Sequence, residues 1–363
     1  MQNVLITGVT GLLGGELLRE LCKCNLTRIT ALIRRSEMQA PLGRFECRMA
    51  RSGADVSDYA DRTNVVEGNI VLPNWGLQAN DLRDCQNNID TIVHCAADTS
   101  FIREEIVAET NIRGTKHLIE LARGAQRPPR IVYISTATNV GCVQHCCLKE
   151  DDGCQADNMH HNAYTRSKAI AENMLRESGL EVLVIRPTIV LSAGLSDRVF
   201  ARNIMWFAPL LYQFEALPVD PCSELDVISI EFMARSTIEL LKSLDLRHDC
   251  YHVSAGKRHG FTIREALGSM NQVYQRPAPQ LISPENWTMR EQREYVRTRE
   301  QRMVFHALRY YLPFLNMDVT YDNDRLYAEL GQRTPKFDTF ESYAEQLLGQ
   351  IDLGEALQET AIP

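Results

Sequence analysis

The sequence predicts a doubly wound α/β fold, a parallel sheet with helices on both faces, continued by a smaller, mostly helical C-terminal region. Three observations carry that expectation. Residues 3–7, NVLIT, make a short apolar run that enters a glycine-rich turn and then a helical pattern, GELLRELCKC. Strand-like and helix-like segments go on alternating through the first 195 residues, as parallel β-α-β units require. A run such as IVYISTA at 131–137 is apolar almost throughout, which suits a strand buried on both faces. After about residue 195 the alternation becomes irregular, so the chain divides into 1–195 and 196–363, with the stretches at 222–230 and 250–254 candidates to return to the first region.

Composition narrows the function classes. The 363 residues are 44% hydrophobic and 24% charged, with a formal net charge of -8. That is a globular composition, and it lacks the basic excess of a nucleic-acid binder. No apolar run approaches the roughly 18–20 residues needed to span a bilayer. The opening MQNVLITGVTGLLGG has no charged leader and no small-residue cleavage pattern, so a cytoplasmic enzyme is expected. Eleven cysteines without an export pattern point to reduced thiols instead of a disulfide framework. Cys142, Cys146, Cys147 and Cys154 cluster near His145, His160 and His161, but no C-x-x-C pair recurs at zinc-site spacing, and no metal is expected.

The first element is strand 3–7 with its turn, Gly8-Val9-Thr10-Gly11-Leu12-Leu13-Gly14. Gly8 permits the tight turn, Gly11 lets backbone approach a pyrophosphate, and Gly14 lets the helix pack closely. The helix that follows offers free N–H groups and a positive dipole end to the anion. A dinucleotide is therefore expected on Gly8, Thr10, Gly11, Leu12, Leu13 and Gly14. The second strand, 29–33, ends in Arg34-Arg35-Ser36. An NAD-selective site usually places an acid there for the ribose 2′-hydroxyl, whereas a guanidinium grips a 2′-phosphate. Arg34 and Arg35 thus predict NADPH.

Further strand ends follow. Residues 64–67 lead to Gly68-Asn69-Ile70, and 91–93 to His94-Cys95-Ala96-Ala97, whose small residues suit backbone passing close to a cofactor. His94 is read as a packed, orienting residue. Strand 131–137 carries Ser135 and Thr136 at its carboxyl end, where ligands of open α/β sheets bind. A helix from about residue 162 then carries Tyr164 and Lys168, four apart and so on one face. Alone this pair is common. After a cofactor turn and a hydroxyl-bearing strand end it becomes a constellation: Tyr164 as proton donor to a developing oxyanion, Thr136 as second hydrogen bond, and Lys168 as the charge that lowers the phenol's pKa.

The glycine spacing G-x-x-G-x-x-G, with Ser135-Thr136-Ala137 and Tyr164-x-x-x-Lys168, resembles the extended short-chain dehydrogenase/reductases over about residues 1–255. That resemblance implies a Rossmann-type fold, a polar contact from Asn69 with Ile70 near the adenine, and Asn111 as support for the proton relay. It favours Thr136 over Ser135 as the hydroxyl facing substrate, keeps Ser135 near the cofactor, and puts Pro187, Thr188 and Ile189 beside the nicotinamide. A looser resemblance, in His94-Cys95-Ala96-Ala97 through Phe101 and in Leu217-Pro218-Val219-Asp220 followed by Leu225-Asp226-Val227, is to fatty acyl-CoA reductases and carrier-protein thioester reductases. It departs from their pattern at Glu231, where an aspartate is usual.

The resemblance implies NADPH-dependent reduction of an acyl thioester, on CoA or on an acyl or peptidyl carrier protein, to an aldehyde and onward to an alcohol if a second hydride follows. A ketone or aldehyde reductase of a free small molecule is the first alternative. A nucleotide-sugar epimerase or dehydratase is the second, and Ala137-Thr138 after Thr136 lacks the acidic pair usual in dehydratases. A non-catalytic NADPH-sensing scaffold would tend to lack the tyrosine or lysine that this chain keeps. Beyond residue 280 the sequence predicts one charged amphipathic helix over 286–311, read as a solvated face or as a basic landing surface for a carrier or CoA phosphate, and two closing helices near 324–331 and 338–350. The apolar stretch 203–217 reads as core or as pocket wall.

Overall fold

A computed structural model describes residues 2–24, 28–51, 59, 62–153, 157–192, 204–243 and 245–349. Seven strands form its main sheet: β1 (Asn3–Thr7), β2 (Arg28–Ile33), β3 (Thr63–Glu67), β4 (Thr91–His94), β5 (Arg130–Ile134), β6 (Val182–Pro187) and β7 (Cys250–Val253). They lie in the order β3-β2-β1-β4-β5-β6-β7, every neighbouring pair parallel. The chain direction across the sheet reverses between β1 and β4, so the crevice above the carboxyl ends of those two strands is the ligand position of a Rossmann-type sheet.

Period-two alternation sends β1 to both faces. Val4 and Ile6 pack with α1 (Leu12–Cys22) and with α6 (Ile230–Lys242), through Leu17, Leu18, Leu21, Phe232 and Met233. Leu5 faces the other layer, built from Leu118, Leu121 and Ala122 of α4 (Gly114–Arg123) and Ala171 and Leu175 of α5 (Ala163–Arg176). Between α1 and α4 lie α2 (Pro41–Arg51) and α3 (Ala79–Asn88). The later part of the chain thus supplies α6 and β7 to the nucleotide-binding layers. Residues 222–230 do not join the main sheet. Glu224–Leu225 pairs antiparallel with Phe261–Thr262, and Val227–Ser229 runs parallel to Ile189–Leu191.

A second core gathers Phe207, Leu210, Leu211 and Phe214 against α7 (Ile263–Tyr274), α8 (Arg299–Leu308) and α10 (Phe340–Gly349). The stretch 207–217 is therefore largely core. The intervening α9 (Asp324–Leu330) buries Leu326 and Leu330 against the first layer instead.

Two expected elements are corrected. The helix predicted over 286–311 is broken into Met289–Tyr295 and α8. Thr298 is the reason. Its hydroxyl accepts from the Gln301 N–H at 3.0 Å while the Gln301 side chain accepts from the Thr298 N–H at 3.0 Å, a capping box that starts a new helix. The strand predicted over 131–137 ends at Ile134, because Thr136 caps a short 3₁₀ turn, Ala137–Val140, accepting from the Thr138 N–H at 3.4 Å.

Candidate active site

The glycine turn sits where the sheet order reverses. Gly8 has φ +77°, and a Cβ there would lie 2.7 Å from the Ala96 nitrogen. Only glycine fits both demands. The same contact explains the small residues after β4: the chain at Cys95 and Ala96 runs against the turn. Thr7 clamps it, its hydroxyl accepting from the Ala96 N–H at 3.1 Å and lying 3.2 Å from His94 Nδ1. A Cβ at Gly14 would collide with the Gly8 carbonyl, so α1 starts directly on the turn, with Gly11 as its N-cap. Gly11 thus leaves the helix amino end unobstructed by a capping side chain. Leu12 and Leu13 begin the helix itself.

The basic flank is larger than the sequence indicated. Arg34 and Arg35 are exposed at the end of β2. Arg35 is held by Glu67 at the end of β3, through Nε at 2.9 Å and Nη2 at 2.6 Å. Arg44 from α2 donates to the Arg34 carbonyl and, at 3.4 Å, to the Thr10 hydroxyl. Arg48 donates to the Gly11 and Leu12 carbonyls at 3.3 and 3.4 Å, and lies over Gly15, where a Cβ would intrude. Arg44 and Arg48 bind the arginine-bearing strand end to the glycine turn. Their signal in the sequence was the i, i+4 spacing along α2, which places both on one face.

The other predicted cofactor positions follow the carboxyl ends of β3 and β6. Asn69 accepts from the Val71 N–H at 3.3 Å, and Ile70 is buried against Gly114. Thr188 and Ile189 follow β6. The Thr188 N–H donates to Val253, and its hydroxyl faces the buried Asp226. Asp226 accepts from the Ala255, Gly256 and Tyr321 N–H groups at 2.7, 3.1 and 3.3 Å. That knot of backbone donors was not foreseen. It holds the Pro187–Ile189 turn against segments from the second half.

The hydroxyl strand end and the tyrosine helix meet beside this crevice. Asn162 caps α5, accepting from the Thr165 N–H at 3.0 Å. Tyr164 lies in the first turn, and its hydroxyl faces that of Thr136. Ser135 points the other way: it donates to the buried Glu172 at 2.7 Å. The two adjacent hydroxyls are thereby divided, with Thr136 at the tyrosine and Ser135 in the interior. Asn111 occupies a π-turn over Ala108–Arg113, with its carbonyl taken by the Thr115 hydroxyl at 2.7 Å. Its side chain grips Asp98 by both backbone groups and donates to Ser167 at 2.8 Å. Ser167 in turn donates to the Tyr164 carbonyl at 2.7 Å. Asn111 thus braces the tyrosine helix through Ser167.

The electrostatics correct one expectation. Lys168 does not lower the phenol. Burial raises the Tyr164 pKa, Cys95 adds to the rise, and the hydrogen bond with Thr136 only partly opposes it. The Lys168 ammonium instead donates to the Ile134 carbonyl at 2.5 Å and sits 4.2 Å from the centre of the Tyr133 ring. Burial pushes Lys168 down to about 8, opposed by Cys95 and Glu172. Burial pushes Cys95 up to about 12, so it is a neutral thiol. His94, between the Trp75 and Tyr133 rings at 6.1 Å from each, is driven down to about 3 by burial and then by Lys168. It is neutral and packed, as the sequence suggested.

An aromatic wall adjoins the tyrosine. Phe101 lies 6.5 Å from Tyr164, 5.3 Å from Tyr311 and 5.4 Å from Phe314. His161 lies 5.1 Å from Phe314, and Phe207 5.2 Å from Tyr311. Residues from both halves of the chain thus meet at one site, and no local pattern could have joined them. Cys146 packs on the apolar cluster that also takes Phe314, and Cys154 lies outside the described residues. Among the described residues no group of three or more His, Cys, Asp or Glu is placed to hold a metal ion.

Known proteins with this pattern agree with the architecture. The NAD-binding family described as "Male sterility protein" matches residues 6–237. The chain is 25% identical over 248 residues to a subunit of the linear gramicidin synthase of Brevibacillus parabrevis, a match that covers 66% of this chain and 5% of that protein. It is 24% identical over 216 residues to the L-2-aminoadipate reductase of Schizosaccharomyces pombe, 54% of this chain and 15% of that protein. The chain therefore spans a small part of either relative. The crystal structure of the terminal R domain from the myxalamid PKS-NRPS biosynthetic pathway has the same fold, with a TM-score of 0.79 at 21% identity over 96% of this chain and 90% of that one.

Proposed function

From the premise that the chain belongs to the NAD-binding "Male sterility protein" family, we propose that it is an NADPH-dependent reductase of an acyl thioester. The acyl group would be carried on CoA or on an acyl or peptidyl carrier protein. One observation carries the reading: the Thr136 and Tyr164 hydroxyls converge beside the glycine turn, under an aromatic wall drawn from the second half. The reductases and peptide synthetases among its relatives support the substrate class.

The residues suit the dinucleotide. The turn at Gly8 and Gly14 admits no side chain, which suits close backbone approach to a pyrophosphate, and the amino end of α1 suits its charge. Arg34 and Arg44 would take a 2′-phosphate, since a carboxylate already occupies Arg35. Cys95, Ala96, Ala97, Pro187, Thr188 and Ile189 would flank the nicotinamide. When bound, the reduced nicotinamide supplies a hydride to the acyl carbon.

The chain's own task is to manage the carbonyl oxygen. Tyr164 donates its phenolic proton there, and burial keeps that proton on the phenol until the oxygen becomes basic enough to take it. Thr136 donates a second hydrogen bond to the same oxygen. Lys168 contributes a buried positive charge within the same pocket. Collapse of the adduct returns the oxygen's proton to Tyr164, breaks the C–S bond and leaves the aldehyde, and the departing thiolate takes a proton from solvent.

The test follows NADPH absorbance with a panel of acyl-CoAs, carrier-bound acyl groups, free ketones and UDP-sugars. Thioester-dependent oxidation is expected, with Tyr164→Phe reducing kcat by about 10² or more and leaving NADPH affinity nearly intact. Turnover of free ketones alone would overturn the thioester assignment. Arg34→Ala and Arg44→Ala should each raise the KM for NADPH and not that for NADH. Equal use of both cofactors by the wild type would remove the 2′-phosphate reading.

A further inference from the structure

The tyrosine helix carries a third residue on its active face. Glu172 follows Tyr164 and Lys168 at the same four-residue spacing, on one stripe of α5. Its carboxylate is fully buried among donors. Arg186 of β6, equally buried, donates to it through Nη2 at 2.7 Å and Nε at 3.2 Å. Arg176 donates at 3.1 Å. Ser135 and Asn139 donate at 2.7 Å each, and Asn139 also donates to Ser135 at 3.2 Å. Ser135 and Asn139 flank Thr136 on either side, one at the end of β5 and one in the 3₁₀ turn.

We propose that Glu172 is a positioning residue: anchored on Arg186, it clasps the chain on both sides of Thr136 to the helix that carries Tyr164 and Lys168. This rests on the reading of Thr136 and Tyr164 as the hydroxyl pair. The physical case is one of leverage. Thr136 sits between a strand that has ended and a short 3₁₀ turn, held locally by its own cap on the Thr138 N–H and by the Ser135 N–H on the Ile185 carbonyl. The clasp fixes it from the interior by charge-assisted hydrogen bonds, which are short and directional. A misplacement of about 1 Å at a hydrogen-bonding group can cost on the order of 100-fold in rate. Arg186 extends the anchor, donating to the Glu150 carbonyl at 3.1 Å, and so ties the clasp to the segment before the helix.

Glu172 has a second effect that mere packing would lack. The groups facing the Lys168 ammonium are His94 at the end of β4 and Cys95 just after it, Tyr133 and the Ile134 carbonyl on β5, and Glu172 on its own helix. Glu172 favours the ammonium there. Removing it lowers the pH at which Lys168 loses its proton.

The test uses the full chain, with wild type, Tyr164→Phe, Glu172→Gln, the double variant Glu172→Met/Arg186→Met, and Ser135→Ala. The double variant removes both buried charges together, which folded proteins often tolerate, and guards against a Glu172→Gln chain that fails to fold beside an unpaired arginine. Each is measured for Tm, NADPH Kd by fluorescence, and kcat against pH with the best thioester of the panel. For the Glu172 variants kcat should fall about 10- to 100-fold, with NADPH Kd within about threefold and the alkaline limb moved to lower pH. Ser135→Ala should lower kcat without moving that limb. If Tyr164→Phe is inactive while the folded double variant and Ser135→Ala keep the wild-type kcat and limb, the clasp is wrong and the hydroxyl pair stands. If the wild type reduces no thioester, the underlying reading falls and the clasp with it.

Discussion

At the scale of single residues, the tyrosine and lysine of α5 behave differently from their simplest reading. Tyr164 and Lys168 share a helix face, but burial acts on them in opposite directions, raising the phenol and lowering the ammonium to about 8. The sign matters for pH dependence. Lys168 has a folded pKa below its ordinary 10.5, so its charge is present below about pH 8 and is lost as pH rises through that value. Tyr164 stays protonated well beyond it. Activity that needs the ammonium should therefore fall with an apparent pKa near 8, and Lys168→Arg, which cannot lose its charge, should remove that limb. A kcat/KM profile flat to pH 10 would show that the ammonium is not needed. Stability runs the opposite way: the cost of burying the charge is full below about pH 8 and is relieved between there and 10.5.

At the scale of elements, helix starts were read less well than helix existence. The charged segment after residue 286 keeps one amphipathic pattern through its whole length, and a threonine inside such a pattern is ordinary. Thr298 nonetheless splits it, because a capping box satisfies backbone donors that would otherwise need the preceding turn. The break frees α8 to bury Val304 and Leu308 against the second core. Thr298→Ala should cost about 1 kcal/mol, read as a fall of a few degrees in Tm, while leaving NADPH binding unchanged. A Tm equal to wild type would mean that packing of Val304 and Leu308 alone sets where this helix begins. The strand that ends at Ile134 instead of Ala137 has the same origin: a side-chain cap, invisible to hydrophobic periodicity, decides the boundary.

At the scale of the whole molecule, the two halves are woven together. Helix α6, strand β7 and helix α9 return from the second half to the nucleotide layers. The second half also sends Tyr311 and Phe314 to the aromatic wall beside the tyrosine. Phe314 touches Phe101 and His161 but belongs to neither the glycine turn nor the hydroxyl pair. Phe314→Ala should therefore alter the acyl preference and raise the KM for the thioester roughly 5- to 150-fold, by loss of roughly 1–3 kcal/mol of apolar contact, with NADPH Kd unchanged by calorimetry. An unaltered acyl preference would place the acyl chain away from this wall.

Alone, the order of residues determined the class of fold, the glycine turn and the helix bearing tyrosine and lysine, because each depends on contacts between near neighbours in the chain. Period and turn chemistry are local, and so they survive in one dimension. Tertiary structure alone decided which hydroxyl faces the tyrosine, where the Lys168 charge points, which arginines meet at the turn, and which aromatics close the pocket. Those outcomes depend on burial and on partners far away along the chain. Ser135 and Thr136 are neighbours with the same chemistry, and only the buried carboxylate of Glu172, drawing one of them inward, separates their roles.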